Sequence, residues 1–190
     1  RALHGSRLFL DNARGKGKAL KKTAEHSAAI DALSREIRAY SAQLFHGERT
    51  REQMDLVASM IEEADFTGSL TESLYQIARR IEREQFTPAS RAVLDQGLDH
   101  LDKKLSLLEA DEAEPGTPNG EVVTEVPALG AAEFETLRWT VIDAEDIPAA
   151  EKGALLALLG SMERAESLID RIEQERASVD RDQANVLAEA

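Results

Sequence analysis

The chain has 190 residues, a formal net charge of −13, 42% hydrophobic and 4% aromatic residues, and no cysteine. The missing cysteine excludes disulfides, thiolate zinc sites and cysteine nucleophiles, and the few aromatics argue against a deep aromatic-lined pocket. The acidic balance argues against nucleic acid, whose affinity comes mainly from phosphate contacts, and the longest apolar run, Ala154 to Leu159, falls far short of the ~20 residues of a membrane-spanning helix.

Residues 2–13 read as a short helix that breaks at Gly15-Lys16-Gly17. This glycine-lysine stretch lacks the preceding strand and the spacing of a phosphate-binding loop. A long helix follows from about Ala19 to Phe45, striped by Ile30, Leu33, Ile37, Tyr40 and Leu44. His46-Gly47 stops it, since glycine takes the left-handed cap conformation without steric cost. Thr50-Arg51-Glu52-Gln53 is a capping box opening a helix to about Gln85. Its stripe is Val57, Ile61, Ala64, Gly68, Leu70, Leu74, Ile77 and Ile81. Thr87-Pro88 starts the next helix, with threonine as the cap and proline where no amide hydrogen is needed. Leu94, Leu98, Leu101, Leu105 and Leu108 stripe it until it fades near Glu112.

Residues 111–130 gather three of the five prolines and an acidic balance, and read as a flexible linker in which Val122-Val123 is the one place for a strand. Helix resumes from Ala131 to Ala144, breaks at Asp146-Ile147-Pro148, and runs from Ala149 to near Asp180, striped by Leu155, Leu158, Met162, Ala165, Ile169 and Ile172. The last ten residues are expected to fray. Stripes this narrow are buried only if every helix lies along its neighbours, which predicts an all-α antiparallel helical bundle. Residues 1–110 form its first part, 111–130 the linker, and 131–190 a second helical segment packed on the first. A weak repeat recurs at a separation of about one hundred residues. In it a helix, a short turn and a long helix recur, and Asp65 through Leu70 align with Glu163 through Leu168.

Charge is unevenly placed. Residues 1–22 carry Arg1, Arg7, Arg14, Lys16, Lys18, Lys21 and Lys22 against Asp11 alone, a net of +6 that leaves −19 for the remainder. A basic start on an acidic body is what a segment leaving the cytoplasmic face of a membrane carries; the plainer reading is a solvated lysine-rich helix. Asp95/Asp99 and Glu166/Asp170 are carboxylates four apart, the spacing that chelates a hard cation, yet a chain with 36 acids forms such pairs by chance on solvated faces. The sequence alone leaves open whether they bind a metal. His4, His26, His46 and His100 do not cluster, and no Glu-x-x-His of a di-iron bundle exists. His46 reads as a cap residue, and His100 as flanking Leu101. Arg79, Arg80 and Arg83 suit an anion, but Glu82 and Glu84 among them favour a solvated face. Gly68-Ser69 lacks the setting of a nucleophile elbow. Nothing indicates catalysis, and no catalytic, cofactor-binding or metal-ligating residue is assigned.

The run from Ile30 to Tyr40 carries Ile-Asp, then Leu, then Glu-Ile, then Tyr, and Glu63 to Ile77 has the place and rhythm of an acid-Arg-x-Gly-Asp segment. On these residues the chain resembles the PhoU-like domains, particularly those attached to bacterial sodium/phosphate cotransporters, over nearly its whole length. The resemblance implies two three-helix bundles related by duplication, the second abbreviated here. It also implies a regulatory or accessory role on the cytoplasmic face of the inner membrane, with the membrane transport domain of the same polypeptide, or a second copy of the chain, as partner. In the family, acid pairs four apart hold iron or zinc. Here the matching positions are Asp65 and Ser69, with Phe66 in the arginine position, so metal binding is not carried over. The competing expectation is a stand-alone structural helical protein that dimerises through its stripes and has no link to transport.

Overall fold

A computed structural model describes residues 2–15, 20–44, 50–111 and 130–188. Six helices account for nearly all of them: α1 (Ala2–Ala13), α2 (Leu20–Leu44), α3 (Arg51–Arg83), α4 (Pro88–Asp111), α5 (Gly130–Asp143) and α6 (Ala149–Ala188). No strand forms among the described residues, and the chain is all-α. His46-Gly47, Val122-Val123 and residues 112–129 of the expected linker lie outside them.

The local signals act as the sequence indicates. Gly15, at φ 73°, follows α1 and donates its amide to the Asn12 carbonyl at 2.9 Å, a left-handed stop that costs a side chain-free residue nothing. The capping box is complete: Gln53 N donates to Thr50 Oγ1 at 3.3 Å, and Thr50 N to Gln53 Oε1 at 3.4 Å. Thr87 Oγ1 accepts from the Ser90 amide at the start of α4. One boundary differs, since α6 extends to Ala188 and not just to near Asp180. Residues 181–188 hold no glycine or proline, so local propensity alone does not end the helix there.

The two longest helices, α3 and α6, form the central antiparallel pair: Glu63 meets Arg176 at one end, while Ile77 and Arg80 share a groove with Leu158 and Arg164 at the other. Beside α3, α1 runs parallel (Ser6 to Thr71, Phe9 against Tyr75) and α2 antiparallel (Ser27 to Glu72, Arg38 to Asp65). Beside α6, α4 runs parallel (Thr87 near Glu151, Lys104 to Asp170) and α5 antiparallel (Arg138 to Glu163, Lys152 to the Ile142 carbonyl). α4 meets the first three helices through α1 alone. Exchanging α1, α2 and α3 for α4, α5 and α6 leaves the set of neighbouring helix pairs unchanged. Arg38–Asp65 and Arg138–Glu163 are equivalent under that exchange, and their acids are the two that head the aligned segments of the sequence repeat.

One continuous core joins α1, α3, α4, α5 and α6. The stripes of α4 and α6 are buried throughout. On α3, full burial begins only at Leu70, and Val57, Ile61, Ala64 and Gly68 are partly buried. The α2 stripe is a correction. Ile30 is buried, but Leu33 and Tyr40 are 49% and 64% exposed, and Ser34 and Ser41 turn inward instead. The reason lies at Gly68, where a Cβ would stand only 3.0 Å from Ser34 Oγ. Small residues let the α2 and α3 backbones approach closely, and the seam follows 30, 34 and 41, about one residue round the helix from the large apolar stripe. A second close approach is at Gly97, where a Cβ would meet Met162 Sδ at 2.8 Å.

Candidate functional site

Two charged-type side chains sit deep in the second half, His100 (8% exposed) on α4 and Glu166 (3%) on α6. Burying such groups is costly unless each is paired and hydrogen-bonded, and both are. His100 Nε2 lies 2.7 Å from Glu166 Oε1, and Nδ1 lies 2.8 Å from Glu133 Oε2 on α5. An imidazolium satisfies both carboxylates as donor, whereas a neutral ring donates to only one. The ring also stands edge-on to Phe134, with centroids 5.3 Å apart, which fixes its plane.

One turn further on, Lys104 Nζ donates to Asp170 Oδ1 at 2.7 Å and stands 3.7 Å from Glu166 Oε1. Burial pulls the Lys104 ammonium down, but the hydrogen bond to Asp170 and the charges of Asp170, Glu166 and Glu173 outweigh it and hold the group above the ordinary lysine range. The Glu166/Asp170 pair thus shares a helix face as its spacing requires. The cation between the two carboxylates is the protein's own Lys104. The pair Asp95/Asp99 is divided, Asp95 accepting from Arg91 and Asp99 from Arg14. Among the described residues no group of three or more acids and histidines has a metal-holding arrangement. The two nitrogens of His100 point in opposite directions, so its carboxylate partners do not converge on a common point.

The basic start of the chain is partly absorbed. Phe9, Leu10 and Ala13 of α1 are buried in the core. Arg7 bonds Asp102, Ser106 and Glu109, and Arg14 bonds Asp99 and Asp102, clamping α1 along α4. Lys16 and Lys18 lie outside the described residues, as do the side chains of Arg1, Lys21 and Lys22. The same holds for the side chains of His4, His26 and His46.

Two open grooves stand out among the described residues. One, of about 420 Å³, lies between α2 and α3 and holds both residues that the resemblance singles out. Asp65 there accepts from Arg38 Nε at 2.6 Å, and Ser69 is exposed. The other, of about 500 Å³, lies between α3 and α6, and gathers Arg79, Arg80 and Arg83 with Arg164. Sequence reasoning missed Lys104 and Glu133 because their partners lie on other helices, and Arg164 because the arginines it joins in the groove belong to α3. A signal existed for Lys104: His100 and Lys104 are four apart on α4, matching the spacing of Glu166 and Asp170 on α6. No helix among the described residues is long and apolar enough to cross a membrane. No protein-family model matches the chain, and neither a curated protein nor a solved structure matches it.

Proposed function

We propose that this chain is a PhoU-like regulatory or accessory domain of a sodium-dependent phosphate transporter, lying on the cytoplasmic face of the cell membrane and acting by docking of helix faces without catalysis. The observation that carries the reading is the exchange pattern of the fold. Two three-helix units with matching neighbours and an equivalent arginine–acid pair are what duplication of a bundle produces, with α5 shorter than α2. That arrangement supports the family resemblance carried by Ile30 to Tyr40 and Glu63 to Ile77. Its partner is the membrane transport domain of the same polypeptide. The second reading, a helical protein that self-associates apart from any transporter, draws on Leu33, Tyr40 and Met60, large apolar side chains left about half or more exposed on α2 and α3.

Removing residues 1–22 is an unsuitable test of the membrane side, because it also removes Phe9, Leu10 and Ala13 from the core. Replacing Lys16, Lys18, Lys21 and Lys22 together by glutamine leaves α1 in place. Each lysine near an anionic surface contributes ~1 kcal/mol, fading within about a Debye length. The native chain is expected to sediment with acidic vesicles at low salt and the substituted chain to stay in solution. Equal, negligible binding by both, together with a concentration-dependent dimer in sedimentation equilibrium, would favour the second reading.

A further inference from the structure

The groove between the C-terminal half of α3 and the N-terminal half of α6 concentrates positive charge in a chain whose net charge is −13. Four guanidinium groups line it against two carboxylates, Glu72 and Glu84. Arg80 is held by Glu84 at 3.0 Å, and the Glu72 carboxylate accepts from Gln76 and Ser27. Arg164 donates to the neutral Ser161 hydroxyl at 2.9 Å. Among the described residues Arg79 and Arg83 have neither an ion pair nor a hydrogen bond from their side chains. The fold does not impose this charge. Under exchange of the two halves, the corresponding stretch at the other end of the α3–α6 pair mixes Glu62, Glu63 and Glu175 with Arg171 and Arg176, and Arg176 is there paired with Glu63.

We infer that this groove is a binding site for a small, multiply charged oxyanion, of the phosphoryl or polycarboxylate class. Arg79 and Arg83 from one wall and Arg164 from the other hold its oxygens. Guanidinium forks match carboxylate and phosphoryl oxygens in pairs, and a groove of this size admits a ligand of several heavy atoms and not only a bare ion. Ile77 and Leu158 beneath supply an apolar floor for the ligand's carbon or bridging atoms. Because its walls belong to the two central helices, an occupied groove ties together the two halves of the molecule. The inference is independent of the transporter reading, which a failed vesicle experiment would remove without touching it.

The test is isothermal titration of the full chain with pyrophosphate and with citrate at low salt. Arg79→Gln/Arg83→Gln is the perturbing variant. Arg35→Gln, which loses an exposed ion pair with Asp31 and a long hydrogen bond to its carbonyl on α2, is the control. The native chain and the control are expected to bind at one saturable site with the same affinity. The double variant, with its helical circular dichroism unchanged, is expected to bind about tenfold more weakly for each charge-assisted hydrogen bond it no longer makes to the anion. Absence of saturable binding to either anion would overturn the inference, as would binding indifferent to the arginine substitutions. A dimer of the native chain that the double variant abolishes would also overturn it, assigning the groove to the acidic surface of a second copy.

Discussion

Replacing His100 and Glu166 by leucine, singly and together, tests whether the buried network is held by pairing or by shape. His100→Leu leaves the Glu166 carboxylate, 3% exposed, with Lys104 at 3.7 Å as its one remaining charged partner among the described residues. A buried charge stripped of a close partner costs ~3–5 kcal/mol. Glu166→Leu is milder. The imidazole keeps Glu133 at 2.8 Å and Lys104 keeps Asp170 at 2.7 Å, so one unsatisfied ring nitrogen remains, worth ~1–3 kcal/mol. The double variant buries two apolar side chains and leaves no buried charge orphaned, since Glu133, which also loses His100, is exposed, and such exchanges are often close to neutral. The singles should therefore not add: with the double variant near neutral, the coupling equals the sum of the two single costs, about 4–8 kcal/mol, above the range usual for residues in contact. Urea unfolding followed by helical circular dichroism measures all four proteins, with tryptophan fluorescence from Trp139 as a second probe of two-state behaviour. Strict additivity, or a cost below ~1 kcal/mol for His100→Leu, would refute the reasoning.

Two further outcomes concern pH. Hydrogen bonds from Ser90 and from the Thr87 amide and hydroxyl hold the Glu151 carboxyl below the ordinary glutamate range. Its stabilisation is therefore present above the unfolded pKa of about 4.3 and is lost as pH falls through the lower folded value. Glu151→Gln should lower the Tm at neutral pH, and the gap to the native chain should close in that acid window; a gap independent of pH would contradict this. For Glu175, burial first and then the charges of Glu62 and Glu63 push the carboxyl up, so its ionised form opposes folding above the unfolded pKa. Glu175→Gln should raise the Tm at neutral pH, with the gain vanishing as pH falls below about 4.3; an unchanged or lower neutral Tm would contradict that.

Much of the fold is legible in the sequence, and the gaps have physical causes. The stripes of α4 and α6 are uninterrupted Leu, Ile, Met and Ala, and helices with such faces have one good orientation against a core. α2 carries a comparable stripe and orients differently, because Gly68 and Ser34 permit an approach that large side chains on the same seam would block. Hydrophobic spacing reports where apolar groups sit, not how close two backbones come. The turn chemistry at Gly15, Thr50 and Thr87 is local and is therefore readable. The His100–Lys104–Glu166–Asp170 ladder is not, since each half looks like an ordinary charged face until the two helices are set in register. The same blindness applies to the arginine groove: three of its cations stand together in sequence, but Arg164 joins them only across the central helix pair.

That central pair also sets the order in which the protein is made. α3 is complete at Arg83, yet its partner α6 ends at Ala188. Synthesis at ~5–20 residues per second separates the two events by on the order of 5–20 s. During that interval Leu70, Leu74, Ile77 and Ile81 have α1 beside them but no α6 to complete the burial they reach in the finished core. The nascent first half is therefore a hydrophobic face awaiting its complement. A chain released early, or one whose second half folds slowly, presents to the cell the surface that chaperones and proteases recognise.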